Sequence, residues 1–141
     1  MNWKRIFLAS LVIYVVFQGL GYLMDHVFLK GDYDQLKSLW RPNMTSRMWV
    51  LYVVGLLVAF LFTYIFVKGR EGKGIQEGVR FGIIIWLFTI VPYNLELWVI
   101  FPIPHQLIVK WMLFGLLSSL IGGILAAVIY EPAAPAAATQ P

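Results

Sequence analysis

Four long stretches without a charged residue constrain this chain more than any other feature. Residues 6–24, 48–67, 81–95 and 111–130 contain no Asp, Glu, Lys or Arg, and apolar residues resume after Glu96 as far as Phe101. A hydrocarbon core about 30 Å thick is crossed by about 20 helical residues. Backbone polar groups in lipid must pair within their own segment or around a closed barrel. Each stretch is too long for a strand, so four transmembrane helices are expected. Of the 141 residues, 60% are hydrophobic and 13% charged, against about 45–50% and 25% in soluble domains. That balance excludes an ordinary soluble globule, a disordered chain and a nucleic-acid-binding domain. The absence of Cys removes disulfides, thiolate metal sites and Cys nucleophiles.

The expected fold is an all-α membrane protein, an antiparallel four-transmembrane-helix bundle over residues 1–131. Its helices run roughly over 5–29, 47–67, 79–101 and 107–130, with an outer cap loop at 30–46. Within the cap, Gly31 to Asp34 reads as a turn and Gln35 to Trp40 as a short interfacial helix. Arg41-Pro42-Asn43 ends it, because the residue before Pro avoids the helical region. An Ala/Pro-rich mobile tail is expected at 132–141. The first span follows Lys4 and Arg5, as a signal peptide would. It is longer than the usual apolar region of 7–15 residues and runs into Tyr22-Leu23-Met24-Asp25-His26 with no small-residue cleavage site, so it is read as uncleaved. Trp3, Trp40, Trp49, Trp98, Trp111 and Tyr130 lie near expected helix ends, where aromatic anchors belong; Trp86 is the exception.

Orientation rests on Lys and Arg. With the N-terminus inside, Lys4, Arg5, Lys68, Arg70, Lys73 and Arg80 are cytoplasmic, and Lys30, Lys37, Arg41, Arg47 and Lys110 are on the other side. Four of the first group crowd the 68–80 connection, so both termini are assigned to the cytoplasm. The net charge of +4 is accounted for by span flanks and lipid headgroups, and no nucleic-acid partner is expected. The 68–80 segment holds Gly69, Gly72, Gly74 and Gly78 without a G-x-x-x-x-G-K-[ST] pattern or a preceding strand. It reads as a flexible surface connection.

At about 100° per residue, Ser10, Tyr14, Gln18, Gly21, Tyr22 and Asp25 share a stripe of the first helix, and Ala9, Val16, Leu20 and Leu23 oppose it as a lipid face. Small residues recur at Gly55, Ala59 and Thr63, at Gly78 and Gly82, and at Gly115, Ser119 and Gly123. Such rows let helix backbones approach closely. Pro92 removes a hydrogen bond to the Phe88 carbonyl and is expected to kink the third helix.

The ionisable residues Asp25, His26, Glu96, His105 and Lys110, with the amide Asn94, fall near one depth at the outer end of the bundle. An acidic group in hydrocarbon costs about 2.5–3.5 kcal/mol, so it is normally paired or hydrated. Three readings stay open. Asp25, Glu96 and Lys110, with Arg41 or Arg47, form an ion-pair network; or the two carboxylates line a polar pocket with His26 or His105 as proton carriers; or the two His bind a metal or haem. No ligand spacing supports the last, so no metal or cofactor is expected. Ser118 and Ser119 lack a G-x-S-x-G setting, and no enzyme is expected.

The run from Tyr33 to Pro42, the stretch Phe62-Thr63-Tyr64-Ile65-Phe66-Val67-Lys68-Gly69-Arg70-Glu71-Gly72-Lys73-Gly74, and Glu77-Gly78-Val79-Arg80-Phe81-Gly82 resemble those of small uncharacterised bacterial four-helix inner-membrane proteins. The resemblance implies that architecture and a bacterial inner membrane, and assigns no ligand or catalytic residue. The leading expectation is an integral membrane protein acting by helix–helix association, as an accessory subunit of a larger membrane complex or a homo-oligomer in the lipid bilayer. The alternative is a small-solute or proton-coupled permease, or a ligand-binding membrane protein, built on a polar pocket around Asp25 and Glu96.

Overall fold

The computed structural model describes residues 1–130; the expected tail at 132–141 lies outside them. The described residues are helical with no strand, and four helices are long and apolar enough to cross a membrane. Helix α1 (Trp3–Leu23) starts at an N-cap Asn2, whose side chain accepts the Arg5 N–H, and runs into a π-helical turn, Met24–Phe28. A short helix α2 (Lys30–Gln35) and two 3-10 turns, Lys37–Leu39 and Thr45–Arg47, lead to α3 (Met48–Gly69). Helix α4 (Ile75–Ile85), a second π-helical turn (Trp86–Ile90) and α5 (Val91–Ile100) make one continuous rod. Helix α6 (His105–Tyr130) closes the described chain.

The third rod begins at Ile75, ahead of the expected residue 79. The cap α-helix covers Lys30–Gln35, and the expected helix over Gln35–Trp40 is reduced to the 3-10 turn Lys37–Leu39. The π turn of α1 ends as the Leu29 N–H reaches the Met24 carbonyl, and Leu29, fully buried, seats the start of the cap. Helical turns therefore continue through Gly31 to Asp34, where a turn is expected from the sequence. The bend at Pro92 takes a specific form. The Val91 N–H bonds to the Trp86 carbonyl five residues back. The widened turn absorbs the missing Pro N–H.

Helix α6 packs against α1, α3, α4 and α5, and its contact with α4 is the most extensive. Gly78 and Gly82 meet Ser119 and Gly123 backbone to backbone. A Cβ on Gly78 would lie 2.3 Å from the Gly123 carbonyl oxygen, and one on Gly82 would lie 2.4 Å from that of Ser119. Across α1–α3, Gly55 admits Tyr14 and Gln18, whose atoms would come within 3.3 Å of a Cβ there. Gly115 receives the Ile90 side chain, and Ala59 is fully buried. Helix α1 lies between α3 and α6. Its covered surface is therefore wider than one stripe: Ile6, Ala9, Ser10 and Ile13 are all buried. This corrects the placement of Ala9 on a lipid face.

The packing is uneven along the bundle. At the end holding Asn2 and Tyr130, Ile6, Phe66, Val67, Ala126, Ala127 and Tyr130 form a closed core, with Phe62 and Phe66 edge-on to Phe81 at 4.8 and 5.4 Å. At the other end α5 rests on α6 with no comparable packing against α1 or α3; Val99 is 78% exposed and Ile100 69%.

Gly78→Ala should destabilise the protein by about 1–3 kcal/mol, because the added methyl must push main chain apart. Gly21→Ala has nothing within 4 Å of the new carbon and should be neutral or stabilising by about 0.5–1 kcal/mol. Thermal unfolding of both variants in one detergent measures the contrast; equal midpoints would show that α4 and α6 do not meet here.

Candidate functional site

Polar side chains within the long helices mostly turn back on their own backbone. Ser10 donates to the Ile6 carbonyl, Thr63 to Ala59, Thr89 to Ile85 and Asn94 to Ile90, at 2.7–2.9 Å. Each satisfies a group that would otherwise be costly in an apolar surround. Trp86 differs: its Nε1–H crosses to the Met112 carbonyl at 2.8 Å and ties the π turn to α6. This is a role its position away from the helix ends leaves open.

The convergent polar groups lie under the cap. The Tyr33 hydroxyl accepts the Trp111 Nε1–H at 3.0 Å and donates to Asp25 Oδ1 at 3.1 Å. The end of the first rod, the cap helix and the sequence-distant start of α6 are thereby joined through one oxygen. The Lys110 ammonium holds Asp32 at 2.6 Å, fixing α2 to the start of α6. The Trp40 ring stands edge-on to Tyr33 at 5.3 Å. Tyr33 is pushed up from 10.0 to about 12, first by burial and then by the negative charge of Asp25, against an opposing pull from the Trp111 hydrogen bond.

These groups roof a cavity of about 450 Å³ lined by Asp25, Tyr33, Trp40, Met44, Met48, Leu51, Phe101 and Trp111, among others. A second cavity of about 590 Å³ lies deeper in the bundle, among Phe17, Met24, Val58, Phe62, Tyr93, Asn94 and Ser118. Leu97 and Trp111 line both, so the two share a wall.

The six residues singled out for an outer polar cluster are dispersed. Asp25, exposed, borders the upper cavity, and Asn94, buried, the lower. Lys110 pairs with Asp32 rather than with Asp25 or Glu96. Glu96 is exposed and lines neither cavity. His26 is exposed, stacked on Tyr22 at 4.2 Å with Nδ1 3.1 Å from the Tyr22 carbonyl oxygen, and His105 is exposed at the start of α6. Among the described residues, no three His, Cys, Asp or Glu side chains are grouped to hold a metal ion. Nothing in the sequence pattern marks Tyr33, Asp32, Trp40 or Trp111 as site residues: Trp40 and Trp111 fall where interfacial anchors belong, and Tyr33 in an expected turn.

The opposite end holds a second polar arrangement. Glu77 is buried on the first turn of α4, and its carboxylate accepts the backbone N–H groups of Glu71 and Lys73. An acidic residue at the third position of a helix is the sequence signal for such a reach-back cap. Gly72 and Gly74, at φ +78° and +64°, supply the left-handed backbone that the loop requires. Glu71 is exposed and sits below the usual carboxylate range, through hydrogen bonds first from Lys73 and then from Arg80. The Tyr130 hydroxyl accepts the Asn2 N–H, its carbonyl accepts from Arg5, and Arg70 lies over its ring at 4.8 Å. The 68–80 connection, expected to be flexible, is thus tied down.

Comparison with protein-family models, curated proteins and solved structures gives no match.

Because Tyr33 is raised in the folded state, its contribution to stability is full below pH 10 and declines as pH climbs towards about 12. Tyr33→Phe should remove that part of the alkaline loss. Unfolding midpoints of the two proteins between pH 9 and 12 should converge as pH rises; a constant gap would contradict the assignment.

Proposed function

We propose that this chain is a multi-pass protein of a bacterial inner membrane, with four antiparallel spans and both termini cytoplasmic, that binds an amphipathic small molecule beneath its outer cap. Length and apolarity of the four helices support the membrane placement. So do large apolar side chains left exposed along them, such as Phe88 at 78% and Trp49 at 64%. Binding sites of this kind are mostly apolar, about 300–1,000 Å³, with few placed polar groups. One observation carries the ligand reading. The two cavities meet at Leu97 and Trp111, and Asp25 and Tyr33 stand at the capped end. A polar head at Asp25 and an apolar body passing Leu97 would match that distribution.

Binding is favoured over passage. A through-path would have to open the closed core of Ile6, Phe66, Val67, Ala126, Ala127 and Tyr130, or part Gly78 and Gly82 from Ser119 and Gly123, where main chains touch. Association with a second copy or a larger membrane complex is the second reading. The rows at Gly55, Ala59, Gly78, Gly82, Gly115, Ser119 and Gly123 no longer argue for it, since contacts within the chain occupy them. An associating partner would use exposed apolar surface such as that of Phe88 and Val99.

The chain has no Cys, so single-cysteine variants report topology without background. Ser38→Cys should react with an impermeant maleimide on intact spheroplasts, and Lys73→Cys only after permeabilisation; the reverse pattern would invert the orientation. A neutral, environment-sensitive amphiphilic dye should bind the detergent-purified protein saturably and lose at least about tenfold in affinity in Leu97→Trp, which fills the shared wall. Uptake that never saturates, or that Leu97→Trp leaves unchanged, would remove the ligand reading.

A further inference from the structure

The chemistry around Asp25 narrows the ligand. Its carboxylate has a neutral phenol against it, at 3.1 Å, and among the described residues no Lys, Arg or His nitrogen lies within 4 Å of it. The nearby ion pairs are made by other acids: Lys110 with Asp32 at 2.6 Å and Lys37 with Asp34 at 2.8 Å. Three aromatic rings, of Tyr33, Trp40 and Trp111, line the same cavity as this carboxylate, with Phe101 beside them. Aromatic faces attract cations through the ring quadrupole, most strongly for Trp, by about 0.5–1 kcal/mol each at exposed sites and about 2 kcal/mol when desolvated. An anion entering here would meet Asp25 and the negative ring faces, with no cation beside that carboxylate to offset them. We propose that the capped cavity selects a lipophilic organic cation, its charged centre among the Tyr33, Trp40 and Trp111 rings beside Asp25 and its apolar substituents reaching past Leu97 towards the deeper cavity. Tyr33 is a positioning residue in this arrangement: held by Trp111, it orients one carboxylate oxygen and leaves the other for the ligand.

This rests on the cavity being a ligand site, and the test separates the two claims. Tetraphenylphosphonium and tetraphenylborate have nearly the same shape and opposite charge. Binding of each is followed by quenching of tryptophan fluorescence for the full chain in one nonionic detergent, with the neutral dye as a third ligand. Comparing wild type with Asp25→Asn in the same micelles cancels partitioning into detergent. The phosphonium should bind the wild type at least about tenfold more tightly than Asp25→Asn, equivalent to about 1.4 kcal/mol. The neutral dye should bind both proteins alike, and the borate should gain from the substitution. Trp40→Leu, at a ring 39% exposed, should weaken the phosphonium more than the dye and guards against misfolding of the Asp25 variant. If dye, phosphonium and borate all bind with affinities that Asp25→Asn does not alter, the cation inference is wrong and the amphiphile site stands. If none binds saturably, both fall.

Discussion

Main-chain contact between α4 and α6 organises everything else in this molecule. Side chains of ordinary size at Gly78, Gly82 or Gly123 would force the rods apart, since each added Cβ would fall 2.1–2.4 Å from a carbonyl oxygen. In an apolar solvent helices gain little from burying apolar side chains, and close backbone approach becomes a principal source of attraction. The contact is local to one end. The π-helical turn at Trp86–Ile90 and Pro92 intervene before α5, so the rod's second half is free of the direction set by its first. Tight contact between α4 and α6 at one end thereby coexists with the two adjoining cavities towards the other, while separate spaces of about 250 Å³ between α3 and α4 and about 500 Å³ along α1 and α3 remain.

The distribution of polar groups follows the same division. Within the rods, hydroxyl and amide side chains are satisfied by carbonyls one turn back and ask nothing of a neighbour. Unspent polarity is confined to the two ends. At the closed end Glu77 is consumed in holding a loop, and Tyr130 gathers the N-terminus, Arg5 and Arg70. At the capped end the Trp111–Tyr33–Asp25 chain finishes on a carboxylate that still borders open volume. Glu77 also borders a space, of about 250 Å³, but its carboxylate is held by two backbone N–H groups, whereas Asp25 borders about 450 Å³ with one phenol against it, and that difference is why function is placed under the cap.

Charge-free length marked the four rods correctly, with ends displaced by a few residues, because hydropathy is a property of each segment alone. The glycine rows were legible for the same reason: spacing of four puts small residues on one face whatever the neighbour is. The site was not legible. Asp25, His26, Asn94, Glu96, His105 and Lys110 were grouped by depth along the helices, and depth says nothing about azimuth. Asn94 and Glu96, two residues apart on one helix, end on different sides, one buried and one exposed. Lys110 finds Asp32 and Trp111 finds Tyr33 across 78 positions of sequence, and those meetings depend on where the π turn at Met24–Phe28 aims the cap. Ala9 misled because a helix wedged between two others has two covered faces. Glu77 carried a readable signal in its place on the first turn of α4, and its attraction for the preceding loop could have been inferred.

Closure by glycine contact at one end leaves real space at the other. A structure determined in a lipid nanodisc tests this most directly. Gly78 should still touch Gly123, and two adjoining spaces should remain on either side of Leu97 and Trp111, bordered by α1, α3 and α5. Collapse of α5 onto α3 with the glycine contact intact, erasing both spaces, would contradict it.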